Sequence, residues 1–295
     1  MAASPQAAGP TPSLDEAYAA CEAIAKGRYE NFSVVTLFLP RSLRPYFNAV
    51  YAFCRHTDDL GDEANGDRLT LLDEWEQELD SVYAGTPTEP IMVALQDVVQ
   101  RFGSSDEPFR KLIEANRMDQ AKVRFQTYDD LLHYCEHSAT PVGRMVLSLL
   151  GDDSAESRRL SDATCTALQL ANFWQDVARD HAMGRIYLPL EDMQSFGYTE
   201  DELARYEANQ AFRNLMRFQV QRAQDLFKRG LPLVQRLNGR VRLDVALFSK
   251  GGMHVLEAIH QQDYDVLSHR PTVSTLRKLW LTLTTAVRLA VLRRP

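Results

Sequence analysis

The chain has 295 residues, 45% of them hydrophobic, and a formal net charge of −7. That is enough apolar material for a sizeable core, and the acidic balance argues against a nucleic-acid partner, which would need a basic face. Cys21, Cys54, Cys135 and Cys165 stand far apart with no C-x-x-C pair, so a reducing, cytoplasmic setting is expected and no zinc site is suggested. No run of about 18 apolar residues could cross a bilayer.

Residues 1–12 carry no Lys or Arg and no apolar core, and read as a disordered tail rather than a signal peptide. Ser13-x-x-Glu16 has the form of a capping box and should start a first helix that runs to Lys26-Gly27. Residues 29–39, ended by Pro40, read as a helix or turn. A helix over 43–63 follows, with Ala49, Val50, Phe53 and Leu60 available for packing, and Asn65-Gly66 makes a turn. Leu72, Trp75, Leu79 and Val82, at spacings of 3 and 4, predict a helix over 68–83. Helices are predicted over 91–102 and 109–122. Residues 128–150 read as one long helix bent by Pro141 and Gly143. A helix over 160–180 precedes a loop at 184–189, and Thr199-x-x-Glu202 is a second capping box. Helices over 209–228, 231–237 and 241–267 complete the pattern, the last with a soft spot at Gly251-Gly252. Residues 276–294 are amphipathic and basic: either a last packed helix or one that lies on a membrane surface. No strand pattern, linker or second hydrophobic block is visible. The simplest reading is one all-α domain over 13–295.

The chemistry concentrates in two of these helices. In YAFCRHTDDLGDE (51–63), Asp58 stacks one turn before Asp62 and Asp59 one turn before Glu63. Like charges at that spacing weaken a bare helix. In NFWQDVARD (172–180), Asn172, Asp176 and Asp180 repeat the arrangement at i, i+4 and i+8. A solvated acidic face is the plain alternative. The recurrence in two equally apolar contexts favours a divalent cation, because crowded carboxylates raise one another's pKa unless a cation compensates. Mg²⁺ takes hard oxygen donors and is commonly shared with substrate phosphates. A di-iron bundle would want Glu-x-x-His pairs on facing helices, and only Glu257-x-x-His260 has that spacing. Arg55 and Arg185 could fork onto phosphate oxygens; the alternative for Arg55 is a salt bridge to Asp58. Tyr51, Tyr134 and Tyr187 could present ring faces to a carbocation or simply pack. No dinucleotide or NTP loop is present.

At this point the residues resemble a known family. YAFCRHTDDLGDE is similar to the first aspartate-rich motif of the squalene/phytoene synthases, and NFWQDVARD with GRIYLP to their second. YCEHSATPVGRMV resembles the segment between them, and DYDVLSHRPTV the C-terminal box. The resemblance spans residues 17–278. It implies an all-α isoprenoid synthase fold, a single helical bundle around a central cavity, and Mg²⁺-dependent ionisation of a prenyl diphosphate. It further implies that Asp58, Asp59 and Asp62 bind Mg²⁺ on one side and Asn172, Asp176 and Asp180 on the other. Asp58, Asp62, Asp176, Asp180 and Tyr134 would be the catalytic groups. Arg55, Arg185 and Arg270 would contact diphosphate, and Phe32, Tyr51, Tyr134, Ala139, Val142, Gly143, Gln169 and Tyr187 would line the cavity.

Two departures narrow the expectation. Members that condense two prenyl diphosphates carry a Ser-rich, Lys-containing stretch where this chain has Tyr29-Glu30-Asn31-Phe32, and an Arg where it has Gln175. Both changes remove positive charge that a second diphosphate would need. The YENF and NFWQDVARD wording is most similar to the bacterial hydroxysqualene synthases of the hopanoid pathway. They take presqualene diphosphate from a presqualene diphosphate synthase and capture the product cation with water, so no NADPH is expected. The alternatives are a head-to-head condensing transferase and a catalytically silent binding protein, which should have lost carboxylates. A greasy substrate would favour peripheral membrane contact by residues 276–294.

Overall fold

The computed structural model describes residues 11–27, 39–121, 124–237 and 241–272. Residues 1–10 of the tail expected over 1–12, the segment with Glu30 and Phe32, and the basic segment 276–294 lie outside the described residues. The described chain is helical, and its sole strand-like pairing is an isolated parallel bridge between Arg124 and Ile186. Two compact units divide it, with boundaries at Gln120/Ala121, Arg144/Met145 and Asp152/Asp153.

In the first unit α1 (Leu14–Gly27), α2 (Arg44–Asp62), α3 (Arg68–Ala84) and α4 (Pro90–Phe102) pack on one another, and α5 (Glu107–Ala121) follows. The Ser13 capping box forms: Glu16 accepts from the Ser13 N–H at 2.8 Å, and the Glu16 N–H donates to Ser13 Oγ at 3.3 Å. Asp67 caps α3, and Gly85, in the left-handed region at φ 88°, ends it. Leu72, Trp75, Leu79 and Val82 are all buried, as their spacing predicts. Phe53 of α2 stacks on Trp75 at 5.5 Å and meets Phe109 edge-on at 5.1 Å. The Trp75 indole N–H finds Thr57 Oγ1 at 2.9 Å, so the ring is buried without an unpaired donor.

In the second unit α8 (Ala155–Ala182) is central. It packs against α6 (Tyr128–Ser138), α11 (Gln210–Gly230), α12 (Leu233–Arg236) and α13 (Val241–Gln261). Short helices α9 (Leu190–Ser195) and α10 (Glu200–Ala204) fill the connection, and the Thr199 capping box forms as expected. Helix α8 begins five residues before the sequence pattern suggests. Ser154 caps it by accepting from the Ser157 N–H at 3.3 Å, and the first turns are polar, so they carry no apolar periodicity.

Three expectations are corrected. The 128–150 stretch is two helices, α6 and α7 (Thr140–Leu149), which break at Ala139 rather than at Pro141. Proline clashes with the residue before it and with the carbonyl four residues back, so the break falls upstream of the ring. Gly251-Gly252 is no soft spot but continuous helix. A Cβ on Gly252 would lie 2.3 Å from Phe227 Cζ and 2.9 Å from Leu168 Cδ2, so the glycine serves close helix packing. Finally, α13 stops at Gln261, and Asp263 and Tyr264 turn the chain with φ of 51° and 62°.

Candidate functional site

Helix α2 carries the first acidic motif. Phe47, Val50, Phe53, Thr57 and Gly61, at helical spacing, form its buried face. Asp58 and Asp59 are half-buried, whereas Asp62 and Glu63 are exposed. Burial pushes the Asp58 carboxyl up to about 6, and the Asp62 and Asp59 charges add to the rise. Opposing it are the Asn116 amide, which donates to Asp58 Oδ1 at 3.4 Å, and the Arg55 charge. Asn116 also donates to the Leu112 carbonyl at 3.1 Å, and it lies so close to α2 that a Cβ on Gly61 would meet its Oδ1 at 2.2 Å. Gln120 donates to the Gly61 carbonyl at 2.9 Å. Sequence reasoning missed Asn116 and Gln120; their spacing of four on α5, opposite a helical glycine, is the only trace they leave. Arg55 pairs with Asp59 and, at 2.8 Å, with Glu63, rather than bridging to Asp58 as the alternative reading had it. Tyr51 is half-buried on the same helix.

The second unit holds the other motif. On α8, Leu170, Phe173, Trp174 and Val177 are buried; Asn172 is exposed, Asp176 buried and Asp180 intermediate. Burial first, and the Asp176 charge second, push Asp180 up to about 7, against the opposing charges of Arg185, Arg179 and Arg270. After Gly184, in the left-handed region at φ 79°, the Arg185 N–H donates back to the Asp180 carbonyl at 2.9 Å, which returns the loop to the helix end. Arg270 forks onto both carboxylate oxygens of Asp176, and Gln175 Nε2 donates to the Pro271 carbonyl at 2.6 Å.

The loop after α8 is tied to residues 124–128. Arg124 donates to the Gly184 carbonyl at 3.0 Å, and the Leu190 and Glu191 N–H groups donate to the Phe125 and Gln126 carbonyls. This brings four aromatic rings together. Phe173 stacks on Tyr187 at 3.8 Å, with Phe125 5.6 Å and Tyr134 5.9 Å from Tyr187. Tyr134 and Tyr187 are therefore packed in an aromatic cluster to which Phe125 also belongs, a residue without sequence signal of its own. A cleft of about 210 Å³ is lined by Phe173, Trp174, Val177, Ile186, Tyr187, Leu188 and Leu203 together with Asp180 and Arg185. Ala139 caps α6 and is buried; Val142 is exposed; Gln169 is half-buried. Gly143 lies against α8, where a Cβ would meet Ser161 Oγ at 2.4 Å and Cys165 Sγ at 2.6 Å.

Among the described residues no three His, Cys, Asp or Glu side chains gather at metal-ligand spacing. Each motif by itself does supply hard oxygen donors: Asp58 and Asp180 are held above the usual carboxylate range chiefly by burial, and arginines stand against Asp59 and Asp176. That donor set fits Mg²⁺, which binds through one or two carboxylates plus substrate phosphates. His260 of the Glu257-x-x-His260 pair bonds the Tyr264 hydroxyl through Nδ1 at 2.8 Å, and among the described residues no third ligand gathers with the pair.

Known proteins resemble this chain over most of its length. The family model described as squalene/phytoene synthase matches residues 25–277. The 15-cis-phytoene synthase of Synechococcus elongatus is 35% identical over 281 residues, covering 90% of this chain and 91% of that protein. The phytoene synthase of Arthrospira platensis is 34% identical, covering 90% of each. Among solved structures, squalene synthase HpnC from Alicyclobacillus acidocaldarius is 47% identical with a TM-score of 0.83, covering 85% of this chain and 95% of that one. A dehydrosqualene synthase in complex with ligand is 29% identical with a TM-score of 0.85, covering 94% and 98%.

Proposed function

The chain belongs to the squalene/phytoene synthase family and has its all-α isoprenoid synthase fold, and from that premise we propose that it converts presqualene diphosphate and water to hydroxysqualene and diphosphate. The observation that carries this reading is at position 175. The neutral Gln175 amide is committed to the Pro271 carbonyl, so the residue next to Asp176 adds no charge. The cation set on Asp176 is Arg270. One leaving diphosphate is served by that arrangement more readily than the two that a condensation must accommodate. The 47% identity to squalene synthase HpnC, against 35% to the Synechococcus phytoene synthase, favours a squalene-type over a phytoene-type prenyl substrate.

In this reading the oxygen donors of the two motifs, Asp58, Asp59 and Asp62 in the first and Asn172, Asp176 and Asp180 in the second, would hold Mg²⁺, which when bound supplies Lewis-acid neutralisation of the leaving group. Arg55, Arg185 and Arg270 bind diphosphate oxygens as planar forks. The carbon–oxygen bond to diphosphate breaks with its electron pair, and the cation rearranges. A water oxygen then bonds to carbon, and its proton passes to the released diphosphate; there is no change of oxidation state and no need for NADPH. Phe173 and Tyr187, which line the cleft, offer ring edges and faces to the cation, and with Tyr134 and Phe125 packed against Tyr187 they exclude stray water.

The phytoene synthase relatives favour a second reading, a transferase that condenses two prenyl diphosphates. Purified protein with Mg²⁺ and no NADPH separates the two. Hydroxysqualene from presqualene diphosphate, with no turnover of farnesyl or geranylgeranyl diphosphate, is the expected result. Condensation of either would sink the lyase reading.

A further inference from the structure

The segment that follows α13 is held more firmly than a simple connection needs. Asp263 and Tyr264 both adopt left-handed backbone, at φ 51° and 62°, a conformation that residues with a Cβ seldom take. Arg213 of α11 donates to the Asp263 carbonyl at 2.6 Å and to its carboxylate at 3.0 Å. The Arg217 guanidinium lies over the Tyr264 ring at 5.2 Å, and the Tyr264 hydroxyl meets His260 Nδ1 at 2.8 Å. Asp265 accepts from the Ser268 N–H at 3.0 Å and from its hydroxyl at 2.9 Å.

The far end of this braced turn meets α8 residue for residue. Arg270 lies on Asp176, and the next carbonyl, Pro271, accepts from the preceding helix residue, Gln175, at 2.6 Å. Arg270 uses Nε and Nη2 on the carboxylate. Its Nη1 hydrogens have no protein acceptor among the described residues, and 48% of its side chain is exposed, against 10% for Asp176. One edge of the guanidinium is thus fixed by the protein while the other is open to an anion. A side chain with four rotatable bonds would not hold that pose unaided; the Gln175 bond fixes the backbone from which it springs.

We propose that Gln175 is a positioning residue for the leaving diphosphate: by holding the Pro271 carbonyl it sets Arg270 with its free edge ready for a phosphate oxygen. This rests on the reading of the site as one that takes a diphosphate. Inorganic diphosphate in Mg²⁺ is the probe, titrated calorimetrically into the full chain, with thermal melting of each variant alongside. Gln175→Met keeps length, volume and helix propensity but has no donor, and Gln175→Ala is the second variant should Met disturb packing. The expected result is that either change weakens diphosphate binding about fivefold, the worth of one hydrogen bond to an ordered group. In an Arg270→Ala background the same change should have no further effect. Weakening of equal size in both backgrounds would mean that Gln175 acts through general structure, and would overturn the proposal. Loss of binding in Arg270→Ala with none in Gln175→Met or Gln175→Ala would overturn it while leaving the diphosphate reading intact. No binding to the unaltered protein would sink both.

Discussion

Individual side chains in each unit carry testable consequences. Asp176 is buried and faced by Arg270. Asp176→Asn removes its charge without changing its size, and should cut diphosphate release from presqualene diphosphate at least about 100-fold, the upper end of what losing even an outer partner of a metal ligand costs. Circular dichroism should show the helical fold unchanged; full activity would remove the metal-site argument. Asp244 gives a prediction independent of catalysis. It is buried on α13, both carboxylate oxygens lack a hydrogen-bond partner among the described residues, and burial pushes its carboxyl up to about 7. In the unfolded chain the group titrates near ~3.9. Between those values the folded protein keeps a proton that the unfolded chain has released, so stability falls as pH rises. Asp244→Asn should flatten that slope between about pH 4 and 7 and unfold at higher urea than the parent at pH 8. An unchanged pH profile would mean that the carboxyl finds a partner in solution.

Glycines govern how closely the helices approach. Gly61, Gly143 and Gly252 each leave space that a Cβ would fill at 2.2–2.4 Å from a neighbouring side chain. Gly143→Ala presses on Ser161 and Cys165, and Gly252→Ala on the rigid Phe227 ring, so each should cost about 1–3 kcal/mol of stability by overpacking. Gly61→Ala is different, because the atom it meets belongs to the Asn116 amide that contacts Asp58. That variant should lose Mg²⁺ affinity by a larger factor than Gly143→Ala at matched stability. Equal affinities in the two would show that Asn116 does not help to place Asp58. The break between α6 and α7 at Ala139 is set by backbone rules, since Pro141 cannot be carried in a helix interior without freeing the His137 carbonyl.

For the whole molecule the two acidic motifs fall in separate compact units, each with its own core. Mg²⁺ with inorganic diphosphate, bound by carboxylates that only the folded helices line up, should stabilise the folded chain by mass action, by roughly 2.7 kcal/mol at a hundredfold excess over Kd. A rise in Tm should therefore appear with both together and vanish in Asp176→Asn; a rise that survives the mutation would place the binding elsewhere. No helix among the described residues is long and apolar enough to cross a membrane.

The family and the acidic motifs were legible in the sequence because their chemistry is local: carboxylates one turn apart on a helix are neighbours whatever the rest of the chain does. Capping boxes at Ser13 and Thr199 and the buried stripe of Leu72, Trp75, Leu79 and Val82 were legible for the same reason. What only tertiary structure decided are the contacts between distant segments. Phe125 joins Tyr134 and Tyr187 through a loop that residues 184–191 pin in place. The Gly251-Gly252 pair reads as a weak point by propensity, yet Gly252 is where Phe227 and Leu168 need room. Gln175 reads only as a missing charge; its bond to Pro271 spans 96 residues of chain, a separation across which no local pattern carries information.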